Sequence, residues 1–559
     1  MPEIIECIPN FSEGRDHGII KQITDAIESV DGVKLLDVDP GADTNRTVVT
    51  FIGTRGGILN GAFAGIAKAA EVIDMRRHSG AHARLGATDV CPLVPIAGIS
   101  EEECIRLSHE LARKVAQELH IPIYLYEKSA QTPQRSNLAH IRSGEYEGLA
   151  EKLKDPEWKP DYGEALFNAK SGATVVGVRE FLIAYNVNLN TRDRKLAHDI
   201  AMTIRESGRV SRDKKGDIVR YESGESVRQP GTLQSAKAVG WYIDEYKMAQ
   251  VSINLTDYKI TNVHEAFEEI RRLANAGGLR VTGSEIVGLI PKEALLMAGR
   301  YYLKAQGKSE GVPEADLIRT AIQSLGLNDV SPFDPAKKII EYQFREFDHP
   351  LTEMSLKAFN DELSTDSPAP GGGSVAALVG SLGAGLTAMV ANLTHGKKGY
   401  ERQYDRMNSL AKGVQELKDE LLRLVDLDTA AFNRVMGSMR LPRKTEEEKA
   451  LRKQAIQETT QEATRVPLAV MKTSLKMLHL ADTVARYGNV NSISDAGVAA
   501  LAGQLAVQGA GYNVLINLPG IEDSGFRESM QSEVAELNRE AQTIARRVER
   551  RVKKAIAQM

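Results

Sequence analysis

Apolar residues recur every three or four positions through residues 59–74, "LNGAFAGIAKAAEVID", and 101–119, "EEECIRLSHELARKVAQEL". That is the period of a helix with one buried face. Around them lie short runs dense in apolar and β-branched residues, at 33–39, 46–53 and 121–127, which read as strands. Alternation of the two patterns predicts α/β or α+β architecture. The run 172–189 then leads into a helical pattern at 194–208, and a second β-then-α series follows at 249–258 and 264–277. A subdomain boundary is therefore expected near residue 180. Residues 207–236 are polar and glycine-containing and read as a mobile loop or hairpin insertion.

After "LGLNDVSPFDP" the proline-flanked stretch 336–353 reads as a linker, and the pattern then changes. From Gly371 to Met559 the prolines are Pro442, Pro467 and Pro519, and helical periodicity dominates, so the last third reads as an all-α bundle. It ends in a long amphipathic helix with a basic end, which suits the helix dipole. The expected organisation is an α+β part of two α/β subdomains, 1–180 and 181–330, a linker at 331–352 and a helical domain at 353–559. One uncharged run, 370–394, is long enough to span a bilayer. It is built from Ala, Gly, Ser and Thr with Leu and Val, a composition that also lets helices pack closely in a bundle, and the bundle reading is preferred.

Within the bundle, Met407, Leu410, Val414, Leu417, Leu421 and Leu424 form one apolar stripe. Continued, the stripe falls on Asp428, Ala431 and Val435. Asp428 thus stands where an apolar side chain is expected, while Asp426 lies about 200° around the helix and points elsewhere. A carboxylate on a buried stripe is costly to keep ionised, so its pKa should rise, which suits a general acid or base as well as a neutral structural partner. Upstream, Gly371, Gly372, Gly373 and Ser374 open a helix, where backbone can approach a ligand or simply turn. Asn489, Asn491, Asp495, Asn513 and Asn517 read either as ligand-reading amides and acid or as caps and bridges between helices.

Composition narrows the class. The 559 residues carry a formal net charge of −4, which argues against general nucleic-acid binding. Cys7, Cys91 and Cys104 have no zinc-type or disulfide-scaffold spacing and fit a reducing cytosol. The N-terminus lacks a basic segment followed by an apolar run, so no signal peptide is expected. The stretch "DMRRHSGAHARLGATDVCPLVP" holds His78 and His82 four apart with Asp89 beyond. On a helix the histidines would share a face, as in a metal site. The glycines and prolines argue instead for a loop or strand edge, where a histidine among Arg76, Arg77 and Arg84 suits proton transfer beside an anionic substrate. Two readings stand: a metal-dependent hydrolase using His78, His82 and Asp89, or metal-free acid/base chemistry.

Many stretches together resemble the formimidoyltransferase-cyclodeaminase family: "ECIPNFSEG", "LLDVDPGADTNRTVVTF", "HSGAHARLGATDVCPLVP", "GATVVGVREFLIAYNVNL", "VGWYIDE", "GSEIVGLIP", then "APGGGSVAAL", "LVDLDTAAF", "MRLP" and "GYNVLINL". The resemblance spans nearly the whole chain. It implies transfer of a formimidoyl group between N-formimidoyl-L-glutamate and tetrahydrofolate, then cyclodeamination of 5-formimidoyltetrahydrofolate to 5,10-methenyltetrahydrofolate with release of ammonia. It implies His82 as the transferase catalytic residue and Asp428 as that of the cyclodeaminase. The family's folate segment falls on Gly163, Glu164, Ala165, Leu166, Phe167, Asn168, Ala169, Lys170, Ser171 and Gly172, with Gly240 a further folate contact. Ala81 and Ala83 depart from an acidic residue and a proline in the family pattern. Tetrahydrofolate, expected to be polyglutamylated, is then a co-substrate. No metal or redox cofactor, nucleic acid or membrane is expected, and the implied protein is a cytoplasmic homo-oligomer joined through the helical domain. Basic pairs that suit a polyglutamate tail are Arg76/Arg77, Lys397/Lys398 and Arg443/Lys444. A chain with only one active half is the other alternative.

Overall fold

In the computed structural model the described residues are 3–42, 44–80, 83–213, 215–221, 223–343 and 350–559. They form two compact units, residues 1–298 with 322–346 and residues 299–321 with 347–559. The first unit contains two sheets. The larger is made of β1 (Ile4–Cys7), β2 (Asn10–Phe11), β3 (Val33–Gly41), β4 (Arg46–Gly53), β5 (Thr88–Ala97), β6 (Ile123–Glu127) and β7 (Thr174–Val178). Its spatial order is β3, β4, then β1 and β2 sharing one lane, then β5, β7, β6; β5, β7 and β6 run parallel and the other pairs antiparallel.

Helices α1 (His17–Glu28), α2 (Arg55–Val72) and α3 (Glu101–Leu119) bury their apolar stripes against one face of this sheet, among Ile5, Phe51, Cys91 and Val176. α3 starts where the sequence predicts, because Ser100 and Glu103 form a capping box. α2 starts four residues earlier than its periodicity suggests: Thr54 caps it and Gly56 and Gly57, which carry no apolar signal, form its first turn. The short helices α4 (Leu138–Arg142) and α5 (Glu145–Lys152) lie over the other face, where Ile141, Leu149, Tyr124 and Val175 cluster.

One expectation is corrected here. Residues 88–97, read as loop or strand edge, are the central strand β5. Its prolines fit because the Pro92 carbonyl accepts from Ile8 N–H and Pro95 sits where the β1–β5 register slips.

The second sheet is antiparallel, in the order β11 (Ala236–Ile243), β12 (Met248–Leu255), β8 (Ile183–Leu189), β13 (Val281–Val287). α6 (Arg194–Ile204) packs on β11 and β12, and α7 (Val263–Ala276) on β8 and β13. The insertion forms a small ribbon, with β9 (Arg209–Val210) paired to β10 (Arg228–Gln229) and further bridges Arg212–Ile218 and Arg220–Ser226. Next along the chain come α8 (Lys292–Ala305) and α9 (Glu314–Leu325), of which residues 299–321 belong to the second unit, then α10 (Pro335–Lys338) and α11 (Ile340–Gln343) of the first. Within the stretch read as a linker, Ile339 and Ile340 are buried and bridge Ile290.

The second unit is helical: α12 (Leu356–Leu363), α13 (Gly372–Thr394), α14 (Tyr404–Met439), α15 (Glu446–Tyr487), α16 (Ile493–Asn517) and α17 (Ser524–Ile556). The uncharged run is α13, long and apolar enough to cross a membrane but 61% buried along its most apolar stretch, among α14, α15 and α16. α15 carries Pro467 in its interior. A proline cannot donate to the carbonyl four residues back. That carbonyl, of Ala463, accepts instead from the Asn517 side-chain amide at 3.3 Å. Asn517 is therefore explained as a structural partner of the proline.

Candidate functional sites

His82 and Ala81 lie outside the described residues. His78 Nδ1 faces Arg84 Nε at 3.2 Å, and His78 Nε2 faces the Asn45 carbonyl at 2.8 Å. Arginine can only donate, so Nδ1 is the acceptor and Nε2 carries the proton. Burial holds this imidazole below its usual pKa. Both ring nitrogens of His78 are thus occupied by protein partners. Arg84 is buried and also engages Glu145 Oε2 at 2.9 Å and Glu147 at 2.9 and 2.6 Å. Arg76 is paired with Asp74. Of the three arginines expected beside an anionic substrate, Arg76 and Arg84 are held in ion pairs by the carboxylates at 74, 145 and 147, whereas Arg77 makes no hydrogen bond or ion pair among the described residues. Asp89 accepts from Leu85 N–H at 2.9 Å and from Arg142. His78 and Asp89, the described members of the metal reading, both have their ligating atoms committed to protein partners, and among the described residues no group of three or more His, Cys, Asp or Glu is placed to hold a metal.

A cavity of about 460 Å³ is lined by His78, Ser79, Gly80, Arg84, Gly144, Glu145 and Glu147. The segment 163–172 runs beside this loop. Gly172 bridges Gly86, Ala87 N–H donates to the Ser171 carbonyl, and Met75 N–H donates to the Lys170 carbonyl. Phe167 leans on Tyr146, the residue between the two glutamates that hold Arg84, at 5.5 Å between ring centres. Tyr146 O–H donates to the Ala169 carbonyl. Asn168 turns the chain by accepting from Ser171 N–H. Gly163, Glu164 and Leu166 line a second cavity of about 630 Å³ with Arg113, Gln117, His120 and Tyr162. Ala165, Leu166 and Phe167 are exposed, an apolar tip on a polar loop. The sequence-flagged segment and the histidine loop are thus brought together. Gly240 lies apart from them in β11, buried against α6; a Cβ there would stand 2.1 Å from His198 N, so only glycine fits.

On the face of the second sheet away from α6, Trp241 Nε1 donates to Gln250, Gln250 to Asn188 and Asn188 to Asp329, at 3.0, 2.7 and 2.9 Å. The sequence analysis did not single these out. Their signal was the period-two alternation of Tyr185, Val187 and Leu189 with Asn186, Asn188 and Asn190.

In the helical unit the stripe continues as expected: Met407, Leu410, Val414, Leu421 and Leu424 are buried. Asp428 is half-buried and meets the first turn of α13. Ser374 Oγ is 3.3 Å from Asp428 Oδ2, and Ser374 N–H also donates to this carboxyl. A Cβ on Gly373 would stand 2.3 Å from Asp428 Oδ1, so the glycine makes the approach possible. Asn513 of α16 lies beside Gly372 on the same side. Burial raises the Asp428 carboxyl above its usual pKa, and the Ser374 donors pull it partly back.

Asp426 points elsewhere than the stripe, and it is 4% exposed, more buried than Asp428, because residues 351–352 cover that side of α14. Asp426 accepts from Leu351 N–H at 2.9 Å and Thr352 O–H at 2.8 Å. The remaining amides divide. Asn489 caps a turn and binds Lys397 at the far end of α13, about 33 Å from Gly372 at 1.5 Å per residue. Asn491 and Asp495 share that end, so only Asn513 joins Asp428.

Three family models match the chain: "Formiminotransferase domain, N-terminal subdomain" over residues 4–179, "Formiminotransferase domain" over 184–345, and "Formiminotransferase-cyclodeaminase" over 355–536. The chain is 41% identical over 548 residues to a formimidoyltransferase-cyclodeaminase of Rattus norvegicus, covering 98% of both chains. It is 43% identical to a glutamate formimidoyltransferase of Thermoplasma acidophilum over 55% of this chain and 95% of that one. It is 39% identical to a methenyltetrahydrofolate cyclohydrolase of Methylorubrum extorquens over 36% of this chain and 97% of that one.

Proposed function

Because the chain belongs to the formimidoyltransferase-cyclodeaminase family, we propose that it carries both reactions, each at its own site. The first moves the formimidoyl group from N-formimidoyl-L-glutamate to N5 of tetrahydrofolate. The second closes 5-formimidoyltetrahydrofolate to 5,10-methenyltetrahydrofolate and releases ammonia, which makes the protein a transferase and a lyase of one-carbon metabolism and histidine breakdown. The observation that carries the second assignment is Asp428: a withdrawn carboxyl with raised pKa whose partners are a hydroxyl and an N–H. N10 attacks the formimidoyl carbon, forming the new C–N bond, and its proton passes to Asp428. Asp428 returns a proton to the amino nitrogen, the C–N bond breaks, and ammonia leaves. A second proton from solvent completes the balance.

For transfer, His82 is proposed as the group that takes a proton from the attacking amine and gives one to the departing nitrogen, since an imidazole titrates near neutrality. Support comes from its neighbours: His78 and Arg84 are locked in place, Arg77 is left to meet a carboxylate, and segment 163–172, the proposed folate contact, is stitched to residues 75 and 86–87. Gly240 is proposed as a second folate contact by the family pattern alone.

The folate is proposed to be polyglutamylated, its tail meeting cations such as Arg77, Lys398 and Arg443. A cytoplasmic homo-oligomer is proposed, joined through the helical unit. α13 and α16 pack together, and Leu382, Met389, Leu393, Val498, Leu501 and Leu505 on them are exposed, apolar side chains that a partner subunit would cover. The domain reading, with parts at 1–180, 181–330 and 353–559, is kept as proposed.

The test supplies formimidoylglutamate and tetrahydrofolate and follows ammonia and the methenyl chromophore separately. Both should appear, in equal amounts. The likeness of the helical part to a cyclohydrolase favours a second reading of that part, in which water rather than ammonia chemistry occurs; the chromophore would then decay on enzyme addition.

A further inference from the structure

Resting on Asp428 as the proton carrier of ring closure, we propose that Ser374 is its positioning residue: the hydroxyl turns between the Val425 carbonyl and the Asp428 carboxyl as that carboxyl gains and loses its proton. Ser374 is fully buried, and its Oγ stands 2.9 Å from Val425 O, 3.2 Å from Thr429 Oγ1 and 3.3 Å from Asp428 Oδ2. A hydroxyl has one proton and two lone pairs, so it cannot donate to the carbonyl and the carboxylate at once. In the arrangement observed the shortest contact takes the proton, and Ser374 donates to Val425.

Its lone pairs then face Thr429 and Asp428. A protonated Asp428 donates to the nearer lone pair, and its proton has a partner. An ionised Asp428 would meet a lone pair instead, until the hydroxyl turns to donate to Oδ2. Turning costs little, because Val425 O keeps the N–H four residues on within α14. Ser374 N–H stays on the carboxyl throughout. Each protonation state therefore has a hydrogen bond, and Asp428 is trapped in neither. A carboxyl that must accept and return a proton in one turnover needs that property.

Among the described residues the groups in contact with Asp428 are neutral, Gly373 and Ser374 from α13, with Asn513 beside Gly372 and Thr429 reached through Ser374. Asp426, two residues away, is turned to Leu351 and Thr352. Burial and Ser374 are therefore the influences to separate.

The experiment uses the full chain with supplied 5-formimidoyltetrahydrofolate and records ring closure against pH for the wild type, Ser374→Ala, Ser374→Thr and Thr429→Val, with Asp428→Asn as reference. Ser374→Ala should lower kcat about 10-fold and move the limb set by Asp428 upward by about half a pH unit, since the hydrogen bond lost by the carboxylate is stronger than the one lost by the neutral acid. Ser374→Thr should bring the limb back, and Thr429→Val should leave it in place. Formimidoyl transfer in the same samples should be unchanged. If Ser374→Ala does not fold, Ser374→Cys, a weaker donor, should show the same upward direction. An unmoved limb in Ser374→Ala, or an equal shift in Thr429→Val, overturns the proposal. Asp428→Asn closing the ring at the wild-type rate overturns the Asp428 assignment itself, a result distinct from an inactive Asp428→Asn with an unmoved Ser374→Ala limb.

Discussion

Arg84 in the sheet-containing unit and Asp428 in the helical unit are both withdrawn from water, and they are treated in opposite ways. Arg84 meets two glutamates and a histidine, and its Nε, Nη1 and Nη2 are all engaged. Asp428 meets a hydroxyl, an N–H and the space left by a glycine. A compensated buried charge holds a loop in shape, while an uncompensated one is poised to change its protonation state. The difference separates residues that build a site from residues that act in it. Asp426, two positions from Asp428, belongs with Arg84: its oxygens answer an N–H and an O–H, and it anchors a chain segment.

The largest effect expected is from Asp428→Asn. It keeps shape but cannot carry the proton, so ring closure should fall by about 10²-fold or more, measured as methenyl formation from supplied 5-formimidoyltetrahydrofolate. His82→Ala should remove transfer and leave closure, and His78→Ala should do less to transfer, as befits a residue whose nitrogens are both occupied. Gly373→Ala should lower closure by roughly 10²-fold while Asp428 remains, since the new methyl would displace the carboxyl and misplacement by about 1 Å is that costly. Normal closure in that variant would break the geometric half of the comparison.

Asp426→Asn sharpens the comparison through stability. Its new amide would face two donors, so unfolding should become easier by about 1–3 kcal/mol, with kcat for closure largely kept. Asp428 should do the reverse. Its pKa is raised on folding, so the stability it contributes is full below the unfolded carboxylate pKa and is lost as pH rises through the folded value. Urea unfolding of the wild type should therefore show a decline over that window which Asp428→Asn lacks, making the variant at least as stable at neutral pH. The smallest effect is Asn517→Ala, about 1 kcal/mol, from stranding the Ala463 carbonyl that Pro467 leaves free.

Much of this was legible in the residues because period and burial coincide. The stripe from Met407 to Leu424 pointed to Asp428 without any knowledge of its neighbours, and the apolar period over 101–119 matched the bounds of α3. What was not legible depends on distant segments. Asp426 was placed off the stripe, but its burial was not legible, because the sequence does not show that residues 351–352 fold over it. Residues 88–97 looked like a loop or strand edge because Pro92 and Pro95 are poor strand residues unless a neighbouring lane is irregular, as β1 is. Arg84 looked available because the glutamates at 145 and 147 are matched to it only in three dimensions, whereas the partner of Arg76, Asp74, stands two residues before it and was overlooked. Asn517 looked like a ligand contact because its partner carbonyl lies 54 residues back.

The central claim is that two separate groups in one chain perform two proton transfers. It is tested most directly by giving Asp428→Asn formimidoylglutamate and tetrahydrofolate and following glutamate release, ammonia and methenyl absorbance together. The account expects glutamate to appear at the wild-type rate while 5-formimidoyltetrahydrofolate accumulates and ammonia and methenyl absorbance stay near background. Loss of glutamate release in step with closure, or methenyl formation at the wild-type rate, would contradict it.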